Sequence, residues 1–241
     1  GEVITMDDAA LFNAGSGRIS LSAEGNITLG GLQTTSAAAG APSAVSITSE
    51  DGAVVDGGDT FVDIVANTAG ARTTIDAETG VGSGNALETT VAELDVTNNA
   101  TGDIDIAETN DIKIVNAVQD NDTAASAGTI RVVAGGTITV DTETALPGNA
   151  VDNQGTGTVV LDANGANSDI VLTSGIQSTS GDITLTADDS VTAGANGDIT
   201  STSGNVSVTA DATGSISATD GDTGEVITMD DAALFNAGSG R

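Results

Sequence analysis

The chain has 241 residues, 38% of them hydrophobic, and its 35 acidic and 5 basic side chains give a formal net charge of −30. Because like charges repel, this balance argues against nucleic acid and anionic lipid as partners. The absence of His and Cys excludes zinc sites and the usual nucleophile–base pairs. No apolar run approaches the roughly 18 residues needed to insert into a membrane.

High net charge and few aromatic residues are also typical of a disordered chain. Two features argue against disorder here: Val and Ile follow a regular pattern, and only two Pro are present. A core of aliphatic and β-branched residues with almost no aromatics suits thin, stacked β layers better than a conventional globule.

The first element in chain order is an eighteen-residue segment, GEVITMDDAALFNAGSGR, which occupies both Gly1–Arg18 and Gly224–Arg241. Identity at a fixed offset of 223 residues (224 − 1) indicates tandem duplication. We therefore expect residues 1–223 to be one full tandem repeat unit and residues 224–241 to begin the next identical unit. The partner that this predicts is a neighbouring copy of the same repeat in the same chain.

Between the two copies, the pattern Gly-x-apolar-x-apolar recurs as GRISL, GDIDI, GTIRV, GTVVL, GDITL and GNVSV. Alternation of this kind predicts half-buried strands, and the leading Gly permits a tight bend. A second apolar pair often follows eight residues later, as Ile27/Leu29 follows Ile19/Leu21. The pattern predicts pairs of strands joined by short polar links.

Successive strand pairs are 20 to 29 residues apart, from Gly204 to Gly224 at the least and from Gly128 to Gly157 at the most. This coil-sized step predicts an all-β fold, a right-handed parallel β-helix (β-solenoid) with about ten coils per 223-residue unit. At the usual strand spacing each unit would be roughly 48 Å long. The second copy of the segment would then lie on coil 206–223, related to the first by a near-pure translation.

The structural rival is a tandem array of Ig-like β-sandwich repeats, as in a calcium-dependent adhesin. Such domains have about 100 residues and usually bury large aromatic side chains. This chain has three Phe and neither Trp nor Tyr. We expect Phe12 and its copy Phe235 to fill the core or a coil corner.

Acidic turns are the candidates for metal binding, since calcium takes carboxylate and carbonyl oxygens. Their spacing matches neither the EF-hand nor the calcium nonapeptide, and Asp, Asn and Gly also serve turns without a metal. We expect no cofactor other than weakly bound calcium. The candidate ligands are Asp56, Asp59, Asp120, Asp122, Asp220 and Asp222.

Acid–base catalysis would need two carboxylates facing each other across a cleft. Asp103, Asp105, Glu108 and Asp111, close to Lys113, are the candidates, but alternating Asp residues fit the outward face of a strand equally well. We expect no enzymatic activity. The few basic residues, Arg18, Arg72, Lys113 and Arg131, are expected to relieve local crowding of acidic groups.

Runs such as GSGRISLSAEGNITLGGLQT and SGDITLTADDSVTAGANGDITSTSGNVSVTA resemble the repeat regions of filamentous-haemagglutinin-like giant bacterial surface proteins. The resemblance spans essentially the whole chain. It implies a right-handed parallel β-helix, export to the bacterial cell surface, and a role as a surface fibre or adhesin stalk. It carries over no catalytic or ligand-binding residue.

The predicted function is therefore a structural, non-catalytic segment of a long extracellular repeat array that forms an acidic fibre or stalk. The alternative is an adhesive module that binds carbohydrate or a host protein. Further partners would be like fibres or cell-surface carbohydrate.

Overall fold

The computed structural model describes residues 1–7, 9–58, 61–120, 127–142, 149–210 and 226–241. The regular structure in these ranges is entirely β, with no helix among them. The strands are β1 (Ile4–Thr5), β2 (Leu11–Asn13), β3 (Ile19–Ala23), β4 (Ile27–Leu29), β5 (Gly31–Gln33), β6 (Val45–Ser49), β7 (Val54–Asp56), β8 (Ile64–Ala66), β9 (Arg72–Ala77), β10 (Leu87–Val91), β11 (Glu93–Asn98), β12 (Ile104–Glu108), β13 (Ile112–Gln119), β14 (Ile130–Ala134), β15 (Ile138–Val140), β16 (Val151–Asn153), β17 (Val159–Ala163), β18 (Ile170–Leu172), β19 (Ile176–Ser178), β20 (Ile183–Ala187), β21 (Val191–Ala193), β22 (Ile199–Ser201), β23 (Val206–Thr209), β24 (Ile227–Met229) and β25 (Phe235–Asn236).

The described strands pair in parallel, each with its counterpart one turn earlier or later in the chain. This confirms the parallel β-solenoid and excludes the sandwich alternative, whose sheets would be antiparallel. Inward residues stack into aliphatic columns along the axis: Ile130, Val159 and Ile183 follow one another in register and are fully buried.

Among the described residues, no helix has the length and apolar character needed to cross a membrane.

The stacked strands form two sides in the first region of the chain, the described residues of 1–98. Side one is a single row of strands, β3–β6–β9–β11. Side two is a double row: β1–β4–β7, continued by a bridge to Val81, and β2–β5–β8–β10. Each turn of the first region therefore places one strand on side one and two elements on side two.

The two sides exchange this arrangement at β12 and β13. In β12, Ile104 stacks on Val81 and Ile106 stacks on Leu87, so one strand covers both rows of side two. In β13, the pairing with β11 shifts by one residue at Val115, which is buried as an extra residue of the strand. Such a bulge bends a strand, and the two halves of β13 pair separately with β15 and β16.

The second region, the described residues of 127–209, is therefore the first region turned around. Side two is now the single row β14–β17–β20–β23, which continues from β12. Side one is now a double row, β15–β18–β21 and β16–β19–β22. The cross-section keeps one strand on one side and two on the other, but the sides have changed places.

The number of turns differs from the prediction. Each pairing along a row of strands corresponds to one turn of the solenoid. The row that begins at β1 makes eight such steps, through β4, β7, Val81, β12, β14, β17, β20 and β23. The next strand, β24, lies half a turn further on, because it pairs on side one. The 223-residue repeat thus makes eight and a half turns, not about ten, or about 26 residues per turn. At about 4.8 Å per turn, the unit is about 41 Å long.

The two copies of the eighteen-residue segment consequently lie on opposite sides. In the first copy, β1 and β2 extend the double row of side two. In the second copy, β24 and β25 pair with β21 and β22 and extend the double row of side one. The second copy therefore rests on residues 191–206, not on coil 206–223, and the expected translation is wrong because the repeat contains a half-integral number of turns.

Candidate functional site

The two ends of the described solenoid expose apolar side chains. Among the described residues, eight large hydrophobic residues are exposed, and seven of them belong to the two copies of the repeated segment. Open ends also present free strand edges, which are templates for further strand pairing. The seven residues are Val3, Leu11, Phe12, Val226, Ile227, Met229 and Leu234.

Equivalent residues of the two copies differ in burial. Met6 is 4% exposed beneath the following turn, whereas its copy Met229 is 42% exposed at the other end. Phe12 is 47% exposed, whereas its copy Phe235 is partly buried, packs against the core and stacks on Ile199. Phe235 thus helps to fill the core, as the sequence predicts. The same prediction is wrong for Phe12, because only one of its faces is covered by a neighbouring turn. Each copy is covered on one face only.

Aspartate and asparagine side chains at the start of strands link each turn to the next. Asp182 Oδ1 accepts a hydrogen bond from the backbone N–H of Asn205 (2.7 Å), and Asn205 Oδ1 accepts one from that of Arg241 (2.8 Å). The same contact, from side-chain oxygen to N–H one turn later, joins Asn26 to Ala53, Asp63 to Glu88, Asp103 to Thr129, Asp111 to Thr137, Asp169 to Ser190 and Asp198 to Leu234.

This role differs from the one expected from the sequence, in which such residues decorate the outward face of a strand or form turns. A signal was present: Asp or Asn is followed directly by Ile or Val at one strand start after another. Part of the large acidic charge therefore has a structural use, since these side chains satisfy backbone N–H groups at the turn corners.

Buried amide side chains close the corner where the two regions meet. Asn98 is fully buried; its Oδ1 accepts from the N–H of Gly80 (2.8 Å) and its Nδ2 donates to Gln119 Oε1 (3.0 Å). Gln119 pairs in register with Asn153, whose Nδ2 donates to the carbonyl of Gly128 (2.9 Å). Leaving such buried groups without partners costs about 1–3 kcal/mol each, so these amides fix the backbone of the corner.

A row of glycines forms the corner that leads into the single row of the second region. A Cβ on Gly157 would overlap the carbonyl of Gly128, one on Gly181 would overlap that of Gly157, and one on Gly204 would overlap that of Gly181. Gly240, the copy of Gly17, lies against Gly204 in the same way. Successive turns approach here more closely than any residue with a side chain allows.

Three of the four basic side chains considered, Arg72, Lys113 and Arg131, pair with carboxylates on neighbouring turns, as the sequence predicts for them. Glu93 lies between Arg72 (Nη2 to Oε2, 3.0 Å) and Lys113 (Nζ to Oε1, 2.7 Å), so one carboxylate joins three successive turns. Arg131 Nη1 lies 2.8 Å from Asp105 Oδ1. These pairs relieve repulsion within a strongly acidic surface.

The four carboxylates considered for acid–base chemistry have partners in the solenoid. Asp105 points outward and pairs with Arg131, while Asp103 and Asp111 accept N–H groups of the next turn. Glu108 points inward from the end of β12. These contacts give all four residues a structural role, and the lack of enzymatic activity stays a prediction.

Glu108 is a buried carboxyl, 4% exposed. Its Oε2 accepts hydrogen bonds from Thr89 Oγ1 (2.7 Å) and from the N–H of Val91 (3.1 Å). Burial raises the pKa of Glu108, and these hydrogen bonds oppose the rise only in part. The Glu108 carboxyl therefore takes up a proton more readily in the folded chain than in the unfolded one.

Four of the six calcium candidates, Asp59, Asp122, Asp220 and Asp222, lie outside the described residues. Asp120 lies near Asp152; burial, and to a lesser extent the charge of Asp120, raises the pKa of Asp152.

Asp56 comes together with two carboxylates that the sequence did not group with it, because they belong to later segments of the chain. One carboxylate oxygen from each of Asp56, Asp63 and Glu88 lies within 4.8 Å of the others. Asp56 also accepts hydrogen bonds from the N–H of Gly58 (2.8 Å) and from the side chain of Asn85. Calcium takes six to eight oxygens, so weak binding here stays a prediction, which calorimetric titration of calcium into the wild-type chain and an Asp56→Asn variant would test.

An apolar groove of about 380 Å³ lies on side two near the first copy of the segment. Leu11, Gly31, Gln33, Phe61 and Val65 contribute to its walls. Phe61 is 65% exposed and is the eighth exposed large hydrophobic residue of the described chain. An adhesive module would present this kind of surface to a ligand.

Comparison with known proteins finds no match: neither a family model, nor a curated protein, nor a solved structure matches this chain.

Proposed function

We propose that this chain is a structural, non-catalytic segment of a long extracellular repeat array that forms an acidic fibre or adhesin stalk at a bacterial surface. The observation that carries the proposal is that one eighteen-residue sequence forms the first turn at one end and the last turn at the other. A further copy of the unit would continue each row of strands and cover the apolar residues exposed at the ends.

The fold suits a load-bearing rod. Hydrogen-bonded ladders run along the axis from turn to turn, and the aliphatic core is continuous from Met6 to Ile199. Stability of this kind is a sum of contacts between neighbouring turns and grows with each added turn. The chain has no Cys, so its rigidity comes from stacking and not from cross-links.

The charge suits a surface fibre that stays separate from its neighbours. The second copy of the segment holds three acidic residues and one basic residue, so one 223-residue unit carries −28 of the chain's −30. This charge, spread over about 41 Å of axis, makes parallel fibres repel one another. Divalent cations would screen this repulsion, which makes like fibres conditional partners. The extracellular, bacterial location is supported by the resemblance of the strand-rich runs to repeat regions of giant surface proteins.

The length of chains with one, two and three units tests the proposal. Small-angle scattering and electron microscopy should show straight rods that lengthen by about 41 Å per unit at constant thickness. Globules connected by flexible joints, or a length that does not grow in this way, would overturn it.

A second candidate, adhesion through carbohydrate, is favoured by the exposed Phe61 in its groove. Aromatic rings offer an apolar face to a ligand while the surrounding polar groups orient it. Binding of the wild-type chain to a carbohydrate array, lost in Phe61→Ala, would support it. Equal signals from both chains would argue against the groove as the binding surface.

A further inference from the structure

We propose that successive units of the array are related by half a turn about the fibre axis, so that each unit displays its surfaces on the side opposite to its neighbours. This inference rests on the proposed array and adds its geometry. The half turn follows from the eight and a half turns in one repeat. This rotation between units adds to the gradual twist of the stacked sheets.

The two copies of the segment use different backbone groups, so one copy inside an array can make both sets of contacts. The first copy pairs with the following turn through the N–H groups of Ile4 and Met6. The second pairs with the preceding turn through the carbonyl of Val226 and the N–H of Asp230, the copies of Val3 and Asp7. In a strand, alternate residues point their backbone groups to opposite neighbours, and the two sets fall on opposite edges.

The rest of the segment obeys the same rule. The first copy uses the carbonyl of Ala10 and the N–H of Ala14 toward the following turn. The second uses the carbonyls of Leu234 and Arg241, the copies of Leu11 and Arg18, toward the preceding turn. Among the described residues of the two copies, none of these backbone groups is required twice, so the described part of the junction between two units needs no rearrangement.

The register at the junction places each row of the next unit. Val206 N–H donates to the carbonyl of Arg241 (2.8 Å), as Ile183 N–H donates to that of Asn205 (2.8 Å). The residue after Arg241 in an array is the copy of Ile19, and it therefore stacks on Val206. The single row that begins with the next unit's Ile19–Ala23 would continue the single row of side two.

The remaining rows follow from contacts already present in the first copy. Ile4 pairs with Ile27, so Ile227 would be covered by the next unit's Ile27. Phe12 pairs with Leu32, so Phe235 would be enclosed between Ile199 and the next unit's Leu32. The double row of side one would thus continue as the double row of the next unit.

The half turn determines on which side of the fibre each groove lies. The groove beside Leu11 would recur at each junction, with Leu234 as one wall and the next unit's Gly31 and Val65 as others. Successive grooves would lie about 41 Å apart on alternating sides, and the same side would recur only after about 82 Å. A fibre of this kind presents identical surfaces in two opposite directions.

Disulfide trapping in the present chain tests which side the second copy occupies, because the chain has no Cys of its own. Thr228 pairs with Thr192 in the half-turn arrangement, and a pure translation would place Thr228 on Ser207 instead. Neighbouring strands lie about 4.8 Å apart, within the Cα separation of a disulfide. We expect Thr192→Cys with Thr228→Cys to cross-link on mild oxidation and Ser207→Cys with Thr228→Cys to remain reduced. The reverse result would overturn the half turn.

A two-unit chain, in which residues 19–241 follow the present chain once more, tests the array. The diagnostic pair is Ser207→Cys with Ser20→Cys in the second unit, and the control pair is Thr228→Cys with Thr28→Cys in the second unit, after the register of Thr5 and Thr28. Cross-linking of both pairs supports the proposal. If only the control pair cross-links, the units stack without the half turn; if neither does, the stacking fails and the proposed fibre fails with it.

Discussion

The first and second regions of the solenoid use the same strand pattern but enter the single row of strands through different corners. In the second region the corner positions are Gly128, Gly157 and Gly181, and neighbouring backbones touch there. In the first region, Gly17 holds the equivalent position before Ile19, but the positions two residues before the stacked residues of the next three turns hold Ser43, Ala71 and Ala92. The comparison shows that alternation of apolar residues specifies a strand row, whereas the corner decides how closely the turns approach.

The largest effect should come from Gly181→Ala, because the added Cβ would overlap the carbonyl of Gly157. Opening this corner should lower the free energy of unfolding by about 3 kcal/mol, the upper part of the usual range for overpacking. The matched control in the first region is Ala71→Gly, expected to cost about 1 kcal/mol. Urea unfolding followed by circular dichroism measures both, and equal losses would mean that the corners do not differ.

Asn98→Ala should be nearly as costly, about 3 kcal/mol, because it leaves the N–H of Gly80 and the amide of Gln119 without a partner where the two regions meet. Its neighbour Asn99 is the control: its side chain donates to Asp76 (2.7 Å) at the surface, so Asn99→Ala should cost about 1 kcal/mol or less. Thermal unfolding of both variants checks the difference. If Asn98→Ala lost no more stability than Asn99→Ala, the buried amide of Asn98 would not be needed to stabilise the turn where the sides exchange.

The hydrogen bonds from Asp or Asn to the next turn occur in both regions, so their removal should cost the same in each. Asp182→Ala in the second region and Asn26→Ala in the first should each lower the free energy of unfolding by about 1 kcal/mol. Asp182→Asn should have almost no effect, since Asn205 makes the same bond. If Asp182→Asn proved as costly in urea unfolding as Asp182→Ala, the charge of Asp182 and not its acceptor oxygen would be what matters.

The smallest change in stability is expected from Glu108→Gln. This substitution tests how a buried carboxyl affects the turn where the two sides exchange. Because the folded pKa lies above the ordinary value of 4.5, the contribution of Glu108 to stability is fully present below that value and is lost as the pH rises through the folded pKa. Between pH 4 and 8, the wild-type chain should therefore lose stability relative to Glu108→Gln. Urea unfolding across this range checks it, with the exposed Glu24→Gln as control; parallel curves for wild type and Glu108→Gln would contradict it.

The strands and the class of fold could be predicted from the sequence because their cause is local. In GDITL and GTIRV, alternate residues face opposite sides of a strand, and the buried set in the structure, such as Ile183 and Leu185, is the set that alternation selects. The eight-residue step from Ile19 to Ile27 likewise corresponds to two successive strands of one turn.

The candidate site could be predicted only in part. Identity of the two eighteen-residue copies marked the ends of the unit, but the sequence did not bring Asp63 and Glu88 to Asp56, because these residues come from separate segments. The link from Asp182 to Asn205 was visible only as a recurrent Asp–Ile or Asn–Val pair, and its partner is a backbone N–H one turn away.

The sequence by itself determined which residues face the core, since alternation along a strand is fixed by backbone geometry. Only the tertiary structure decided on which side each row of strands lies, since the same motif builds the single row of side one at Ile19 and of side two at Ile130. Two adjacent buried residues, Ile114 and Val115, break the alternation where the sides exchange. The side is set by pairing with a strand about 26 residues away, and no local pattern contains that contact.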